Sequence, residues 1–303
     1  MKKAIITGGS GFLGGAIAKH LEAHNVQPII FDRRESTSKN HIQGDIQDKK
    51  SLEKAFDDID LVFHIAGVLG TSELTQDNDT AVNVNVLGTV NVLEAAKTCG
   101  VEKIFYPTKP NEWLNTYSIT KKAGEDFTKM FHELGLVEAR ILRWLNAYGP
   151  HQKLTPVRKA VPMMIVEALE SEPLTIWGSG NQPVDLIFTE DLARITVEHT
   201  LSDKIDHQVY DTGLTHRMSV NDLAALIIDL CDSKSDIKHY PMRVGENEAI
   251  PVPLLEGKSS ADILGISQAT DLREGMLKTI EFYRSISKYD RERALNYYRC
   301  LSE

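Results

Sequence analysis

A glycine run near the N-terminus, Thr7-Gly8-Gly9-Ser10-Gly11-Phe12-Leu13-Gly14, constrains the fold of this chain more than any other stretch. It follows a short apolar run, Ala4-Ile5-Ile6, and leads into a helix-period pattern at Leu13, Ile17 and Leu21. A simple strand-to-helix turn needs one glycine, and this one has four. Glycines here let the backbone come close to a pyrophosphate, whose charge the helix N-terminus then meets. The expectation is a dinucleotide site lined by Gly8, Gly11, Phe12, Leu13 and Gly14.

The rest of the first half alternates in the same way. Pro28–Phe31, Leu61–Ala66, Lys103–Tyr106 and Ala139–Arg143 read as buried strands, while Gly14–His24, Ser51–Phe56, Thr80–Thr98 and Tyr117–Leu134 read as helices. Such alternation predicts an α/β fold, a doubly wound parallel (Rossmann-type) sheet with helices on both faces. The pattern loosens after Asn146, and the 303 residues exceed the usual size of one core. Two domains are expected: a cofactor-binding one over 1–148 and a smaller C-terminal α/β substrate lobe over 149–303, with segments able to return to the first. In that lobe a helix is expected over Pro162–Leu169, strands over Leu174–Trp177 and Leu186–Phe188, and helices near Glu190–Thr200 and Val220–Leu230. Residues 288–303 read as a terminal surface helix.

The net charge of −9 argues against partners such as nucleic acid or a membrane surface. No stretch is apolar for long enough to serve as a signal core or bilayer span, so a cytoplasmic location is the default. Three scattered cysteines, Cys99, Cys231 and Cys300, fit a reducing compartment and inert thiols. His64, His151 and His199 are isolated, so no metal site is expected. Met163, Met164 and Trp144 read as core.

Asp32 closes the second strand about 20 residues past the loop, where a carboxylate accepts from the adenosine ribose. A carboxylate repels a 2′-phosphate, so NAD is favoured over NADP, although Arg33 and Arg34 beside it could hold that phosphate. Asp45 and Ile46 are candidate adenine contacts. Farther on, Tyr117 alone among the nine tyrosines has a lysine four residues later, Lys121. On a helix the two share a face, and an ammonium near a phenol favours the phenolate, a proton acceptor.

Together these residues resemble the extended short-chain dehydrogenase/reductase family, in its nucleotide-sugar epimerase and dehydratase branch. Thr7–Gly14 is similar to the family's T-G-x-x-G-x-x-G, His64–Gly67 to its H-x-A-[AG], Asn85–Thr89 to its N-V-x-G-T, and Tyr117/Lys121 to its catalytic pair. Arg143–Pro150 resembles R-x-x-N-x-Y-G-P, Leu174–Asp191 resembles L-x-I-x-G-x-G-x-Q-x-x-D…D, and Pro241–Glu246 resembles P-x-R-x-G-[DE]. The resemblance implies cofactor contacts from Ala66, Gly67, Asn85, Tyr117 and Lys121, and substrate contacts from Asn146 and Arg243. It also implies a homodimer through the helices at Thr80–Thr98 and Tyr117–Leu134.

Two departures stand out. The family's Ser/Thr-rich stretch is here Tyr106-Pro107-Thr108-Lys109-Pro110, and only eight residues separate Thr108 from Tyr117. Thr108 is the candidate for the supporting catalytic hydroxyl, and a one-residue shift would place Lys109 there instead. Val184 replaces a common diphosphate-binding arginine, which leaves Arg243, with Arg158 or Arg217 able to compensate. The Asp-Glu pair of the 4,6-dehydratases is absent after Thr108. The expected activity is therefore NAD-dependent epimerisation of a nucleotide-linked sugar, a UDP-sugar at its 4-position, through a transient 4-keto sugar. The alternatives are a nucleotide-sugar dehydrogenase, reductase or decarboxylase, or a non-catalytic NAD-sensing relative.

Overall fold

The computed structural model describes the chain except residues 37, 110–112, 249–254, 256 and 301–303, and at 300 the backbone alone. Two compact units emerge. The first comprises Met1–Trp144, Glu190–Gly213 and Val252–Ser267, the second Leu145–Thr189, Leu214–Pro251 and Gln268–Glu303.

The chain opens with β1 (Lys3–Thr7), α1 (Gly14–Ala23), β2 (Gln27–Asp32), β3 (His41–Gln43), α2 (Lys49–Ala55) and β4 (Leu61–His64). A short helix α3 (Asn78–Ala81) runs through a π turn (Val82–Leu87) into α4 (Gly88–Thr98). Then come β5 (Lys103–Thr108), α5 (Thr116–Glu133), β6 (Glu138–Arg143), β7 (Asn146–Tyr148), α6 (Ala160–Leu169), β8 (Leu174–Trp177) and β9 (Pro183–Phe188). The remainder is α7 (Thr189–Leu201), β10 (Val209–Asp211), β11 (His216–Ser219), α8 (Val220–Cys231), β12 (Ile237–Tyr240), α9 (Ser260–Leu264), α10 (Leu272–Ser285) and α11 (Lys288–Cys300).

In the first unit seven strands form one sheet in the order β10-β6-β5-β4-β1-β2-β3. Every pairing in it is parallel. Parallel strands are covered on both faces, which is why β4 and β5 are buried at every residue and are apolar through their middles, with His64, Lys103 and Thr108 at their ends. On one face Leu52, Phe56, Val92, Leu93 and Phe131 pack over Ile5, Val62, Ile104 and Ile141. The strand order reverses between β1 and β4, whose last residues, Thr7 and His64, stand side by side. Ligands of open α/β sheets bind beyond the carboxyl ends at such a reversal.

The second unit holds an antiparallel–parallel sheet, β11-β9-β7, and a parallel pair, β12-β8. Its core gathers Met163, Met164, Ile176, Phe188, Leu223, Ile227, Met276 and Tyr283.

The structure corrects three expectations. The helix expected over Thr80–Thr98 is interrupted by the π turn, which carries Asn85 inward; the extra residue in that turn leaves no trace in apolar spacing. Five strands of three or four residues, β3, β7, β10, β11 and β12, went unread because they are too short or too polar to show a period. The terminal helix α11 is not confined to the surface: Ala294, Leu295 and Tyr298 are buried, and the Tyr298 hydroxyl donates to the Leu154 carbonyl at 2.6 Å.

Two buried imidazoles give the first unit a pH dependence. His64 lies between the Thr7 and Thr89 hydroxyls, and His199 Nδ1 lies 3.0 Å from Ser260 Oγ. Burial, aided by the charge of Lys121 on His64 and of Arg140 on His199, pushes both pKa values down to about 3. A base with a lowered folded pKa gives full stability above its unfolded value and loses it as pH falls toward the folded one. The unfolding free energy is therefore expected to fall by about 1.4 kcal/mol per pH unit for each imidazole between about pH 6 and 4. His199→Gln should make that slope shallower by one proton in urea titrations, and an unchanged slope would contradict the assignment.

Candidate active site

The glycine loop leaves the sheet at the strand-order reversal. Gly8 has φ +74, and a Cβ there would stand 2.7 Å from Ala66 Cα, so the loop after β1 lies directly against the loop after β4. A Cβ on Gly14 would fall 2.0 Å from the Gly9 carbonyl oxygen, which shows how tightly the turn closes on the start of α1. Side chains cap α2 and α5. Asp48 accepts from Lys50 and Ser51 N–H at the start of α2, and Asn115 accepts from Ser118 N–H at the start of α5. Leu13, at the start of α1, makes no such bond. The first N–H groups of α1 thus lack a side-chain cap, beside a glycine-rich loop, and this arrangement fits a pyrophosphate.

Asp32 closes β2 with its side chain buried. It accepts from Ser10 N–H at 3.1 Å and Arg34 N–H at 3.0 Å, so the carboxylate ties the glycine loop to the end of β2. Both arginines lie close to carboxylates: Arg34 Nε is 3.4 Å from Asp32, and Arg33 Nη1 is 3.7 Å from Asp45. Ile46 is buried, and Asp45 accepts from Gln47 N–H.

A chain of buried polar groups runs from this loop to α5. Thr7 Oγ1 lies 2.7 Å from His64 Nδ1, and His64 Nε2 lies 3.0 Å from Thr89 Oγ1. Thr89 donates to the Asn85 carbonyl at 2.7 Å. The Asn85 amide accepts from Val68 N–H and donates to the Val68 carbonyl and to Thr120 Oγ1. Thr120 in turn donates to the carbonyls of Thr116 and Tyr117. Buried polar groups with their bonds satisfied hold a single geometry. Here they fix Tyr117's turn of helix against the segment that holds Ala66 and Gly67. Thr89 and Thr120 were not singled out from sequence, although both stand inside stretches that were.

Tyr117 and Lys121 are half-buried on the first turns of α5. The Lys121 ammonium lies 3.9 Å from the centroid of the Tyr106 ring, and the Tyr106 hydroxyl donates to the Lys121 carbonyl at 3.1 Å. Burial and the nearby Lys109 charge push Lys121 down to about 7, while Glu125 pulls it upward. Burial pushes Tyr117 well above its ordinary value. Thr108 is almost fully buried, and its hydroxyl donates to Glu125 at 2.7 Å. That carboxyl, held also by Lys129 at 2.5 Å, sits below the usual range despite its burial. The structure thus turns the Thr108 hydroxyl inward, toward a carboxylate, and carries Lys109 past it to 5.8 Å from the Tyr117 ring centroid. Tyr106 and Glu125 also stand at this candidate site, against Lys121 and Thr108, and neither stands out in the sequence.

The second unit carries the remaining candidates. Asn146 is exposed on β7 and donates to the Asp185 carbonyl at 3.3 Å. Arg243 pairs with Glu246. Val184 packs against the second unit's core. Arg217 stands opposite Asp185 in the β11–β9 register, and its guanidinium is 3.4 Å from that carboxylate, one residue out of phase with Val184. Arg158 pairs with the buried Glu167 and lies 5.1 Å from the Tyr298 ring centroid, a structural role rather than compensation for Val184. The Trp177 and Tyr240 rings are 5.5 Å apart. Among the described residues no cluster of three or more His, Cys, Asp or Glu side chains is arranged for a metal, and no helix is long and apolar enough to cross a membrane.

With this geometry in view, the family model of the NAD dependent epimerase/dehydratase family matches residues 4–210. The chain belongs to that family. A UDP-glucose 4-epimerase of Mycolicibacterium smegmatis is 25% identical, with 94% of this chain and 100% of the relative covered. A UDP-N-acetyl-alpha-D-glucosaminuronate decarboxylase of Bacillus cytotoxicus is 26% identical, covering 94% of this chain and 98% of its own. The fold also matches the crystal structure of Thermus thermophilus UDP-glucose 4-epimerase in complex with NAD, with a TM-score of 0.82 at 20% identity, over 94% of this chain and 100% of that one. This chain is thus an enzyme of a family whose cofactor is NAD and whose members are nucleotide-sugar epimerases, dehydratases and decarboxylases. Its sheet order is the Rossmann-type arrangement expected from the alternating strands and helices. The uncapped start of α1, the glycine-rich loop and the buried Asp32 fit the pyrophosphate and adenosine ribose of NAD.

Proposed function

We propose that the protein is a UDP-sugar 4-epimerase that works through a transient 4-keto sugar. The observation that carries this reading is the placement of Tyr117 and Lys121 one turn apart on α5, on a stretch joined by Asn85 and Thr120 to the segment beside the cofactor loop. In this reading Tyr117 removes the proton of the sugar's 4-hydroxyl and later returns it. Bound NAD supplies reversible hydride acceptance at the same carbon. Gly8, Gly11, Phe12, Leu13 and Gly14 cradle the pyrophosphate, and Asp32 holds the ribose with Arg33, Asp45 and Ile46 around the adenosine. Ala66, Gly67 and Asn85 line the nicotinamide side. Lys121 holds the nicotinamide ribose and orients Tyr117. Asn146 and Arg243 are assigned to the nucleotide sugar.

Dehydration fits poorly, because Lys109-Pro110 stands where an acid–base pair would be needed. An epimerase returns its hydride, so reduced cofactor does not accumulate. The test is a panel of UDP-sugars followed by proton NMR, with nicotinamide absorbance monitored in parallel. Inversion at carbon 4 with flat absorbance supports the reading; net cofactor reduction or loss of carbon dioxide would replace it with the dehydrogenase or decarboxylase chemistry of its relatives.

A further inference from the structure

The end of β5 places a charge where a hydroxyl was expected. Thr108 cannot offer its hydroxyl to a substrate in this arrangement, because the group is buried and bonded to Glu125. Lys109 is half-buried, and its ammonium lies over the Tyr117 ring. We propose that Lys109 is a positioning residue for the proton transfer assigned to Tyr117, its ammonium favouring the tyrosine's phenolate form in place of a neutral hydroxyl from β5. This rests on the reading of Tyr117 as the acid/base.

The physical case begins with burial. A half-buried tyrosine packed in this way resists ionisation, and burial alone pushes Tyr117 upward. A phenol that must serve as a base near neutral pH needs positive charge nearby. Lys121 supplies less than usual, since burial and Lys109 together bring it down to about 7. The other groups around the pair are Glu125 on α5, Tyr106 on β5 and His64 on β4. Glu125 is compensated by Lys129 and Lys122, and His64 is held neutral. Lys109 places a second cation beside the Tyr117 ring. Its charge both favours the Tyr117 phenolate and disfavours full protonation of Lys121. The proton balance is simple: the Tyr117 hydroxyl gives its proton to water before substrate binds, and the phenolate then takes the sugar hydroxyl's proton and gives it back.

The experiment is 13C NMR of Cζ-labelled tyrosine in the NAD-saturated protein, with Tyr117→Phe identifying the resonance among nine tyrosines. Lys109→Met is expected to raise the pH midpoint of that resonance by about one unit, a tenfold loss of phenolate at a given pH, and Lys109→Arg to restore it. The acid limb of kcat/KM for a converted UDP-sugar should move with the midpoint. An unmoved midpoint in Lys109→Met would overturn the proposal. So would an arginine variant that behaves like the methionine one, or a larger shift in Thr108→Val. The two readings separate cleanly. A shifted midpoint in a protein that converts no nucleotide sugar keeps Lys109 and removes the epimerase reading, whereas conversion with an unmoved midpoint does the reverse.

Discussion

Replacing Tyr117 by phenylalanine is expected to lower kcat for the UDP-sugar about a thousandfold, with NAD affinity unchanged. The phenolic hydroxyl is the only part of the side chain removed, and the helix turn that carries it is held by other groups. Thr120 is bonded to backbone carbonyls, and Asn85 bonds to Val68 and Thr120, so the cofactor side keeps its shape. General acid–base catalysis by one positioned group is worth about 10²–10⁴-fold. An interaction made only in the transition state lowers kcat and kcat/KM together, and this is the pattern expected here. Steady-state kinetics alongside fluorescence titration with NAD reads both quantities. Loss of NAD binding in parallel with turnover would mean that Tyr117 serves to hold the cofactor rather than to transfer the proton.

The second large effect belongs to the glycine loop. Gly14→Ala would place a Cβ 2.0 Å from the Gly9 carbonyl oxygen and 2.5 Å from the carbonyl carbon, a collision between two backbone segments that no rotamer relieves. Relief requires the loop to open, which moves the start of α1 away from the pyrophosphate. A loss of about 3 kcal/mol in stability is expected, with NAD affinity down more than tenfold. Gly15→Ala is the internal control. Nothing lies within 4 Å of a Cβ at that position, and it is already inside α1, so alanine there should be neutral or stabilise by up to about 1 kcal/mol. Thermal melts with and without NAD separate the two variants. Equal behaviour of Gly14→Ala and Gly15→Ala would contradict the described turn.

The fold was legible wherever burial made a periodic mark. Strands such as β4 and β5, covered on both faces, are apolar through their middles, and α5 carries Tyr117 and Lys121 one turn apart on an amphipathic helix. The short edge strands were not legible, because three residues such as Val209–Asp211 gain their strand character from the neighbour they pair with. The division of the chain was only partly visible. Glu190–Gly213 joins the first unit, and its α7 has the same amphipathic pattern a helix of the second would have.

The candidate cofactor residues were conspicuous in the sequence for a chemical reason. Glycines, an acidic residue after β2 and a tyrosine four residues before a lysine are constrained by residue type as well as by place. The supporting groups were not. Nothing in the sequence distinguishes Thr108 facing a substrate from Thr108 facing Glu125, since a threonine at a strand end serves either purpose. The direction is decided by α5, which brings Glu125 and Lys129 behind the strand. Tyr106 gave no signal either, because an aromatic residue in a buried strand reads as core; its face turns out to carry the Lys121 ammonium.

The most direct test of the central claim follows one atom. A UDP-hexose carrying deuterium at carbon 4 is incubated with the enzyme in ordinary water, and the product is read by NMR and mass spectrometry. Hydride removal and return at a single carbon predicts an inverted product that keeps its deuterium at carbon 4 and all six sugar carbons. Deuterium found at carbon 6, washed into solvent or left on the nicotinamide, or a product short of one carbon, would contradict epimerisation through a transient 4-keto sugar.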